Sequence, residues 1–376
     1  MNKYHYLAVT IILSVGSVFM NVAEAQKLDL VIGTYTNKGT SEGIYVYEFD
    51  CQSGKSTYKN KVTGVSDPSY LAISKDSKFL YAVNEGEAAV SAFSFDKQSG
   101  AITFLNKKPS KGGAPCYIVT DQSQRHVIVG NYSGGNLSVF PIKEDGSIGD
   151  AIQTIQHKGS GVDKERQEGP HVHSTVFSPD QKYVFVSDLG TDQISSYKFN
   201  PSSAAQPLSP ASPAYTEVPK GSGPRHLDFH PSGKFAYSIQ EMSGNVSVFQ
   251  YQQGQLKLIQ NISMLDPGFK GKTGAADVHV SPDGKFLYTS NRGDANDIAV
   301  FSINPSNGKL SLKGRSSTLG KGPRNFAIDP TGNYLLAGNH NSDYIVVFKR
   351  NKTTGLLADT GERIKVGAPV CLKFVR

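Results

Sequence analysis

The sequence predicts an all-β fold, a seven-bladed β-propeller built from four-stranded antiparallel blades. A unit of about fifty residues recurs seven times along the 376-residue chain, most fully at 223–252, 275–304 and 322–351. Each copy holds four short stretches of alternating apolar and polar residues, separated by turns rich in Gly, Asn and Asp. The last copy stops after its first strand and the first copy lacks that strand. We therefore expect the two termini to complete one shared blade.

The copies align on the residue that lies seven positions before the Pro of an SPDG-like turn, which in the copy at 275–304 is at 281–284. In order, this anchor position is Pro68, Pro115, Val172, Pro224, Ala275, Pro323 and Pro369. The first strand of each unit begins near the anchor, the second follows the turn, and a polar loop leads to the third and fourth. An open β-solenoid or a pair of sandwiches is the alternative architecture, but neither accounts for the matching gaps at the two ends of the chain.

The chain is predicted to have two parts. Residues 1–25 are typical of a secretory signal, with Lys3 near the start, an apolar stretch at 7–19 and a small-x-small cleavage site at 23–25. The alternative is an uncleaved anchor, for which the apolar stretch is short. We expect residues 26–376 to form a single propeller domain, exported to a periplasm or secreted, and without a membrane span.

The amino-acid composition indicates which classes of binding partner to expect. A net charge of +7 favours anionic ligands, yet there is no Lys/Arg run and no basic-aromatic motif, so nucleic acid is not an expected partner. The three cysteines, at 51, 116 and 371, are odd in number and not at metal-ligand spacing. They are predicted to be buried thiols, with one disulfide as the alternative. Segments 163–168 and 201–215 interrupt the repeat and are predicted to be surface loops of a monomeric protein.

Two rings of positions are expected near one mouth of the central channel. In a propeller, the inner strand of each blade begins at the same end as the loop between the second and third strands. The residues after the anchors are Ser69, Cys116, His173, Arg225, Ala276, Arg324 and Val370. Those just past the second strands are Tyr35, Glu85, Tyr132, Leu189, Glu241, Arg292 and His340. Arg, Glu and His gathered on one rim favour an anion-binding site with acid–base chemistry.

Other chemistries have weaker support. The chain contains no G-x-S-x-G elbow, no H-E-x-x-H motif and no paired-Cys motif. His171 and His173 lie on one face of an extended strand and are a possible metal pair, but two ligands alone do not predict a metal site. We expect neither a metal nor a cofactor. His171 and His226 flank the rings and join the candidates.

The aligned copies resemble the seven-bladed propeller lactonases, which include propeller-type 6-phosphogluconolactonases and fungal carboxy-muconate lactonizing enzymes. The phrases that carry the resemblance are GTYT at 33–36, YAVNE at 81–85, GPHVHS at 169–174, GPRHLDFHP at 223–231, the Glu of SIQEMSGN and SNRGDAN at 290–296. The resemblance implies a carboxylic ester hydrolase that opens an anionic sugar lactone, such as 6-phosphogluconolactone, without a metal. A secretory signal would separate the protein from a cytoplasmic substrate, so the identity of the natural lactone is left undecided.

The resemblance also implies the roles of individual residues. The catalytic candidates are Glu241, Arg225, Arg292 and either His173 or its neighbour His171, with the choice of base left open. The substrate-binding candidates come from the two rings and their neighbours and not from the resemblance: Arg324, Glu85, His340, Tyr132 and His226. Two alternatives remain at this point: an exported propeller that binds an acidic sugar or a protein without turnover, and a muconate-type cycloisomerase.

Overall fold

Apolar and polar side chains alternate along each repeat, and turn residues separate the runs, so each repeat folds into four strands. The computed structural model describes residues 27–37 and 39–375, and the predicted signal at 1–25 lies outside them. These residues form seven four-stranded antiparallel sheets arranged as the blades of a propeller. The predicted fold class is confirmed.

Within residues 27–37 and 39–375, the strands follow one another with a single short helix among them, a 3₁₀ turn at Glu85–Glu87 after the fifth strand. In chain order the strands are β1 (Lys27–Thr34), β2 (Gly43–Asp50), β3 (Ser56–Thr63), β4 (Leu71–Ile73), β5 (Phe79–Asn84), β6 (Ala89–Asp96), β7 (Ala101–Pro109), β8 (Pro115–Thr120), β9 (His126–Asn131), β10 (Asn136–Pro141), β11 (Gln153–Gln156), β12 (Val172–Phe177), β13 (Tyr183–Asp188), β14 (Gln193–Phe199), β15 (Leu208–Glu217), β16 (Pro224–Phe229), β17 (Phe235–Gln240), β18 (Asn245–Gln252), β19 (Gln255–Ser263), β20 (Ala275–Val280), β21 (Phe286–Asn291), β22 (Asp297–Ile303), β23 (Leu310–Ser317), β24 (Pro323–Ile328), β25 (Tyr334–Asn339), β26 (Tyr344–Arg350), β27 (Leu357–Lys365) and β28 (Pro369–Phe374).

One blade is shared between the two ends of the chain. Its inner strand is β28, which pairs antiparallel with β1 so that Ile32 faces Leu372 and Leu30 faces Phe374. Strands β2 and β3 complete this sheet, and each of the other six blades uses four consecutive strands. The predicted closure by both termini is confirmed.

The core lies between neighbouring blades, where the second strands are almost entirely buried. Tyrosines on these strands also tie one blade to the next. The hydroxyl of Tyr237 donates to the carbonyl of Gly308 at 3.0 Å, and that of Tyr288 donates to the carbonyl of Gly355 at 2.7 Å. A buried phenol thus packs its ring and still satisfies its polar end.

Six of the seven inner strands carry a β-bulge close to their first residue. In β12, Val172 pairs with Asp188 while Ser174 pairs with Ser187, which leaves His173 as the extra residue. A bulge turns the side chain of the extra residue away from the regular alternation. The displaced positions are Cys116, His173, Arg225–His226, Ala276–Asp277, Arg324 and Val370.

One predicted loop is partly a strand. Segment 201–215 was expected to be a surface loop, but β15 occupies 208–217 as the outermost strand of its blade. Its pairing skips from Ser195–Tyr215 to Tyr197–Pro210, so the prolines fall where the strand bulges. An edge strand tolerates proline because one side of it donates no ladder hydrogen bonds. The loop prediction was wrong for residues 208–215, because the prolines hid the start of the fourth strand, and residues 201–207 alone form the connection.

Two further expectations concern cysteines and membranes. Cys51, Cys116 and Cys371 all lie in the described part of the chain, are buried and form no disulfide with one another. Across residues 27–37 and 39–375, no helix has the length and apolar character needed to span a bilayer.

Candidate functional site

A repeated backbone hydrogen bond places the two rings side by side. In each blade, the N–H of the second-ring residue donates to the carbonyl of the residue that precedes the anchor. Examples are Glu241 to Gly223 at 2.8 Å and Arg292 to Gly274 at 3.1 Å. The bulges then aim the first-ring side chains at the same opening. Side chains from distant blades therefore meet at one mouth of the channel.

The centre of this mouth is the carboxylate of Glu241, which three guanidinium groups contact. Arg225 donates from Nε to Oε2 at 2.9 Å, and Arg292 Nη2 lies 2.9 Å from the same oxygen. Arg166 donates from Nη2 to Oε1 at 2.7 Å. The arginine side chains run from 1% exposed for Arg225, through 19% for Arg292, to 45% for Arg166. The cluster thus extends from the interior to the solvent.

Electrostatics keep this carboxylate ionised. Burial by itself would raise the pKa of Glu241, but Arg292, Arg225 and Arg166 together bring it far below its usual range. Burial, with Arg324 and Arg292 nearby, lowers the pKa of Arg225 to about 10, so it remains a cation at neutral pH. A carboxylate with so low a proton affinity is a weak base and a strong anchor for cations.

His173 offers a neutral imidazole beside this cluster. The ring is buried, lies 5.5 Å from Tyr132 and 5.4 Å from His226 between centroids, and has Nδ1 3.8 Å from Cys116 Sγ. Burial and then the charge of Arg225 lower the pKa of His173 well below its ordinary value. The ring is therefore uncharged at neutral pH and can accept a proton.

His171 is placed differently from His173. Its ring stacks on Tyr132 with centroids 4.5 Å apart. Its Nδ1 lies 3.2 Å from the Tyr132 carbonyl, and its Nε2 lies 3.1 Å from the Glu168 carboxylate. Both nitrogens face oxygen acceptors, so the ring orients Tyr132 and offers no lone pair to the channel.

A second cluster faces the first across the mouth. Tyr35 donates from its hydroxyl to Glu85 at 3.0 Å, and the guanidinium of Arg324 lies 5.4 Å from the Tyr35 ring centroid. His340 packs edge-on at 6.5 Å and has Nδ1 2.6 Å from the Gly322 carbonyl. Burial is the main cause that raises the pKa of Tyr35 to about 12, so its phenol stays a donor.

His226 lies next to Arg225 in the same inner-strand bulge. It is buried, packs edge-on against Tyr70 and Tyr117, and has its Nε2 3.1 Å from Arg225 Nη1. Its ring centroid is 5.4 Å from that of His173, so the structure places it beside the cluster. Its role in substrate binding stays a prediction.

Arg166 is the residue that the repeat comparison missed. It belongs to segment 163–168, which was predicted only as a surface loop. Gln167 anchors the segment with Nε2 donating to the Leu189 carbonyl at 2.9 Å and to Asp192 at 2.8 Å. A fully buried anchor next to an exposed arginine directs the guanidinium over the mouth. The available signal was an insertion rich in charge directly before an inner strand that carries His171 and His173.

No group of three or more His, Cys, Asp or Glu within the part of the chain that the structure describes is arranged to hold a metal ion. The arginine–glutamate cluster and the neutral histidine together can bind an anion and move a proton.

Comparison with known proteins identifies the family. The family model described as "Lactonase, 7-bladed beta-propeller" matches residues 29–374. A 6-phosphogluconolactonase of Bacillus subtilis is 37% identical over 348 residues, which cover 92% of this chain and 97% of the relative. A solved Bacteroides fragilis structure has a TM-score of 0.90 and 44% identity, covering 94% of this chain and 99% of that one. The periplasmic gluconolactonase of Pseudomonas aeruginosa has a TM-score of 0.89 and 38% identity, covering 93% and 99%. The chain belongs to the seven-bladed β-propeller lactonase family.

Proposed function

We propose that the protein is a lactonase that hydrolyses an anionic sugar lactone, such as 6-phosphogluconolactone, to the open acid. The observation that carries the proposal is the convergence of three guanidiniums on Glu241 beside the neutral ring of His173. The relatives named as 6-phosphogluconolactonase and gluconolactonase support the same substrate class.

The charge at the mouth suits a doubly charged ligand. The two rings hold three guanidiniums and two carboxylates, and Arg166 adds a fourth guanidinium that contacts Glu241. This group of side chains therefore has an excess of two positive charges: Arg166, Arg225, Arg292, Arg324, Glu85 and Glu241. Glu168, in the same segment as Arg166, is exposed and pairs with His171. A phosphate monoester carries about −1.5 to −2 at neutral pH. The planar guanidinium donates two parallel hydrogen bonds to such an oxyanion.

The reaction needs one base and one oxyanion clamp. A ring nitrogen of His173 takes a proton from water as the water oxygen attacks the lactone carbonyl carbon. Arg225 and Arg292 stabilise the negative charge that develops on the carbonyl oxygen. The ring C–O bond then breaks, and the protonated His173 returns its proton to the departing ring oxygen. The products are a hydroxyl group and a carboxylic acid, which ionises in solution.

Glu241 acts in this scheme as the fixed counter-charge that orients the arginines. The sequence left Glu241 and the histidines as alternative bases. Guanidiniums contact both oxygens of Glu241, whereas the neutral ring of His173 keeps a nitrogen lone pair, and this favours His173. Glu85, His340 and Tyr132 shape the remaining walls, together with Arg324.

A direct assay tests the proposal. Protein comprising residues 26–376 is incubated with 6-phosphogluconolactone and with glucono-lactone, and ring opening is followed against spontaneous hydrolysis. We expect saturable turnover that His173→Gln strongly reduces. His230→Gln, which alters a histidine at the opposite end of inner strand β16, is expected to leave it intact. Saturable binding without turnover by the unaltered protein would instead make it a binding platform.

We also propose export and a monomeric state. The signal-like residues 1–25 support export, as does the similarity to a gluconolactonase named as periplasmic. Fractionation of cells that produce the full chain, with N-terminal sequencing of the mature protein, tests the first point. We expect a new N-terminus near Gln26, and gel filtration to give the mass of one chain. An intact residue 1 in the cytoplasmic fraction would refute export.

A further inference from the structure

Arg225 is held from below by a line of buried side chains that leads away from the mouth. Its Nη1 lies 3.1 Å from His226 Nε2, and His226 Nδ1 lies 2.7 Å from Asp277 Oδ1. Asp277 Oδ2 lies 3.0 Å from His279 Nε2. His226 and Asp277 are 5% and 1% exposed, so the line runs through the interior. The proposed reaction uses neither His226 nor Asp277.

The polarity of these contacts dictates the tautomer of His226. A guanidinium can only donate, so Nε2 must present its lone pair to Arg225. The ring proton then sits on Nδ1, from which it is donated to the Asp277 carboxylate. Burial and then the charge of Arg225 lower the pKa of His226 to about 3, in agreement with the neutral ring that this geometry requires.

Asp277 is held firmly because both of its oxygens accept hydrogen bonds. Oδ1 accepts from His226 and from the backbone N–H of Val278 at 3.1 Å. Oδ2 has three donors around it: His279 Nε2 at 3.0 Å, the Asn325 amide, and the backbone N–H of Phe326 at 3.2 Å. Burial alone would raise the pKa of Asp277, but His279 and His226 outweigh it and keep this pKa well below its usual range. The group is a carboxylate.

We infer that Asp277 is a positioning residue that holds the Arg225 guanidinium in place through the Nδ1–H tautomer of His226. The geometry of the pairing stands by itself, whereas its effect on turnover rests on the proposed lactonase function. The arrangement follows the general rule that a carboxylate behind a histidine sets which ring nitrogen carries the proton. Here the histidine positions a clamp and transfers no proton.

Asp277→Asn distinguishes a residue that sets the tautomer of His226 from one that only fills space, because the amide has nearly the same shape as the carboxylate. The Oδ2 position is surrounded by three donors, so the oxygen of the new amide occupies it and the NH₂ group faces His226. The amide then donates to Nδ1, and the ring proton moves to Nε2. Two N–H groups confront each other between His226 and Arg225, and the guanidinium is displaced.

The decisive readout is the tautomer of His226. Nitrogen NMR of protein with ¹⁵N-labelled histidine distinguishes a protonated Nδ1 from a protonated Nε2, and a His226→Gln sample assigns the signal. We expect Nδ1–H in the unaltered protein and Nε2–H in Asp277→Asn. A protonated Nε2 in the unaltered protein overturns the inference, even where Asp277→Asn does not fold.

Activity provides the second readout. We expect Asp277→Asn to lower kcat/KM for the lactone by about 10- to 100-fold, the usual effect of removing an outer partner that orients a functional side chain. Asp228→Asn is the matched control, since this carboxylate also lies near His279, with Oδ2 3.9 Å from Nδ1, but does not contact His226. We expect the control to keep both tautomer and turnover.

A double-mutant cycle completes the test. In a His226→Gln background the ring tautomer no longer exists, so adding Asp277→Asn is expected to cause little further loss. Full additivity of the two losses, or an altered tautomer with unchanged kcat/KM, overturns the inference. If the unaltered protein turns over no lactone, the proposed function fails, while the NMR result still decides the positioning of His226.

Discussion

Glu241 is surrounded by more positive charge than one carboxylate neutralises. Arg225, Arg292 and Arg166 all contact it, and its burial strengthens each of these interactions. The guanidiniums repel one another, so without the carboxylate they would spread apart. A single acidic residue therefore holds three guanidiniums together in one cluster.

Arg292→Ala tests this surface at the residue that is accessible yet still part of the cluster. Removal of a donor that faces developing charge is expected to lower kcat about 100- to 1,000-fold. Steady-state kinetics on the lactone measure the effect. Arg315→Ala, which removes an arginine paired with Asp266 on an outer strand, serves as the control. Equal and small losses in both variants would contradict the assigned clamp.

The buried histidines predict a loss of stability in acid. The pKa of His226 is about 3 in the folded protein, whereas an unfolded histidine has an ordinary value of about 6.5. Between these values the unfolded chain binds a proton that the folded chain does not, so the free energy of unfolding falls as the pH falls. His173 acts in the same direction.

The free energy of unfolding is expected to fall by about 1.4 kcal/mol per pH unit for each such histidine as the pH drops below about 6.5. Urea unfolding at about pH 7 and about pH 5 measures it. The His226→Gln variant is expected to show a smaller decrease than the unaltered protein. An unchanged decrease in that variant would contradict the neutral, buried state of His226.

At the scale of elements, the inner-strand bulges decide where side chains point. The repeat made the strands and their order predictable, because alternation and turn residues recur in every copy. It also brought out Arg225, Glu241 and Arg292 as departures from the pattern. The bulge was not predictable, because an extra residue in one strand depends on its pairing partner. For that reason the contacts of His226, adjacent in sequence to Arg225, could not be predicted.

The 163–168 segment is an element that only the structure connects to the mouth. An insertion has no counterpart in the other copies, so alignment says nothing about its direction. Its position depends on Gln167, whose contacts to Leu189 and Asp192 are long-range in sequence. This is why Arg166 was missed while the ring residues were found.

Arg166→Ala tests whether this segment recognises the distal anion of the substrate. The guanidinium is half-exposed, and we expect its loss to raise KM for 6-phosphogluconolactone about tenfold with little change in kcat, because it contributes binding alone. Glucono-lactone, which lacks the phosphate, is expected to be much less affected. Lys164→Ala in the same segment is the matched control. An equal rise in KM for both lactones would show that Arg166 does not bind the phosphate.

At the scale of the whole molecule, stability depends on the shared blade. The ring closes through β1 and β28, and Val375 donates its N–H to the Asp29 carbonyl at 2.8 Å. Closure of the ring could be predicted because the first copy of the repeat lacks its first strand and the last copy consists of that strand alone. The fold was therefore predictable at this scale in more detail than the site.

Deletion of residues 369–376 is expected to prevent cooperative folding. It removes one inner strand, exposes the edge of β1 and uncovers the apolar faces of both neighbouring blades. Thermal unfolding followed by circular dichroism measures the effect, and protein lacking only residues 1–25 is the control. A truncated chain that melts at the temperature of the control would show that the ring does not need its closing strand.

The shared blade also sets the timing of assembly. The strand that closes the ring, β28, follows all the other described strands in the sequence, so they are synthesised before the propeller can be completed. For a chain that a translocation pore must thread in extended form, such a delay is an advantage. Under the export proposed above, late closure would keep the precursor unfolded during its passage through the membrane, and the mouth of the channel would form only afterwards.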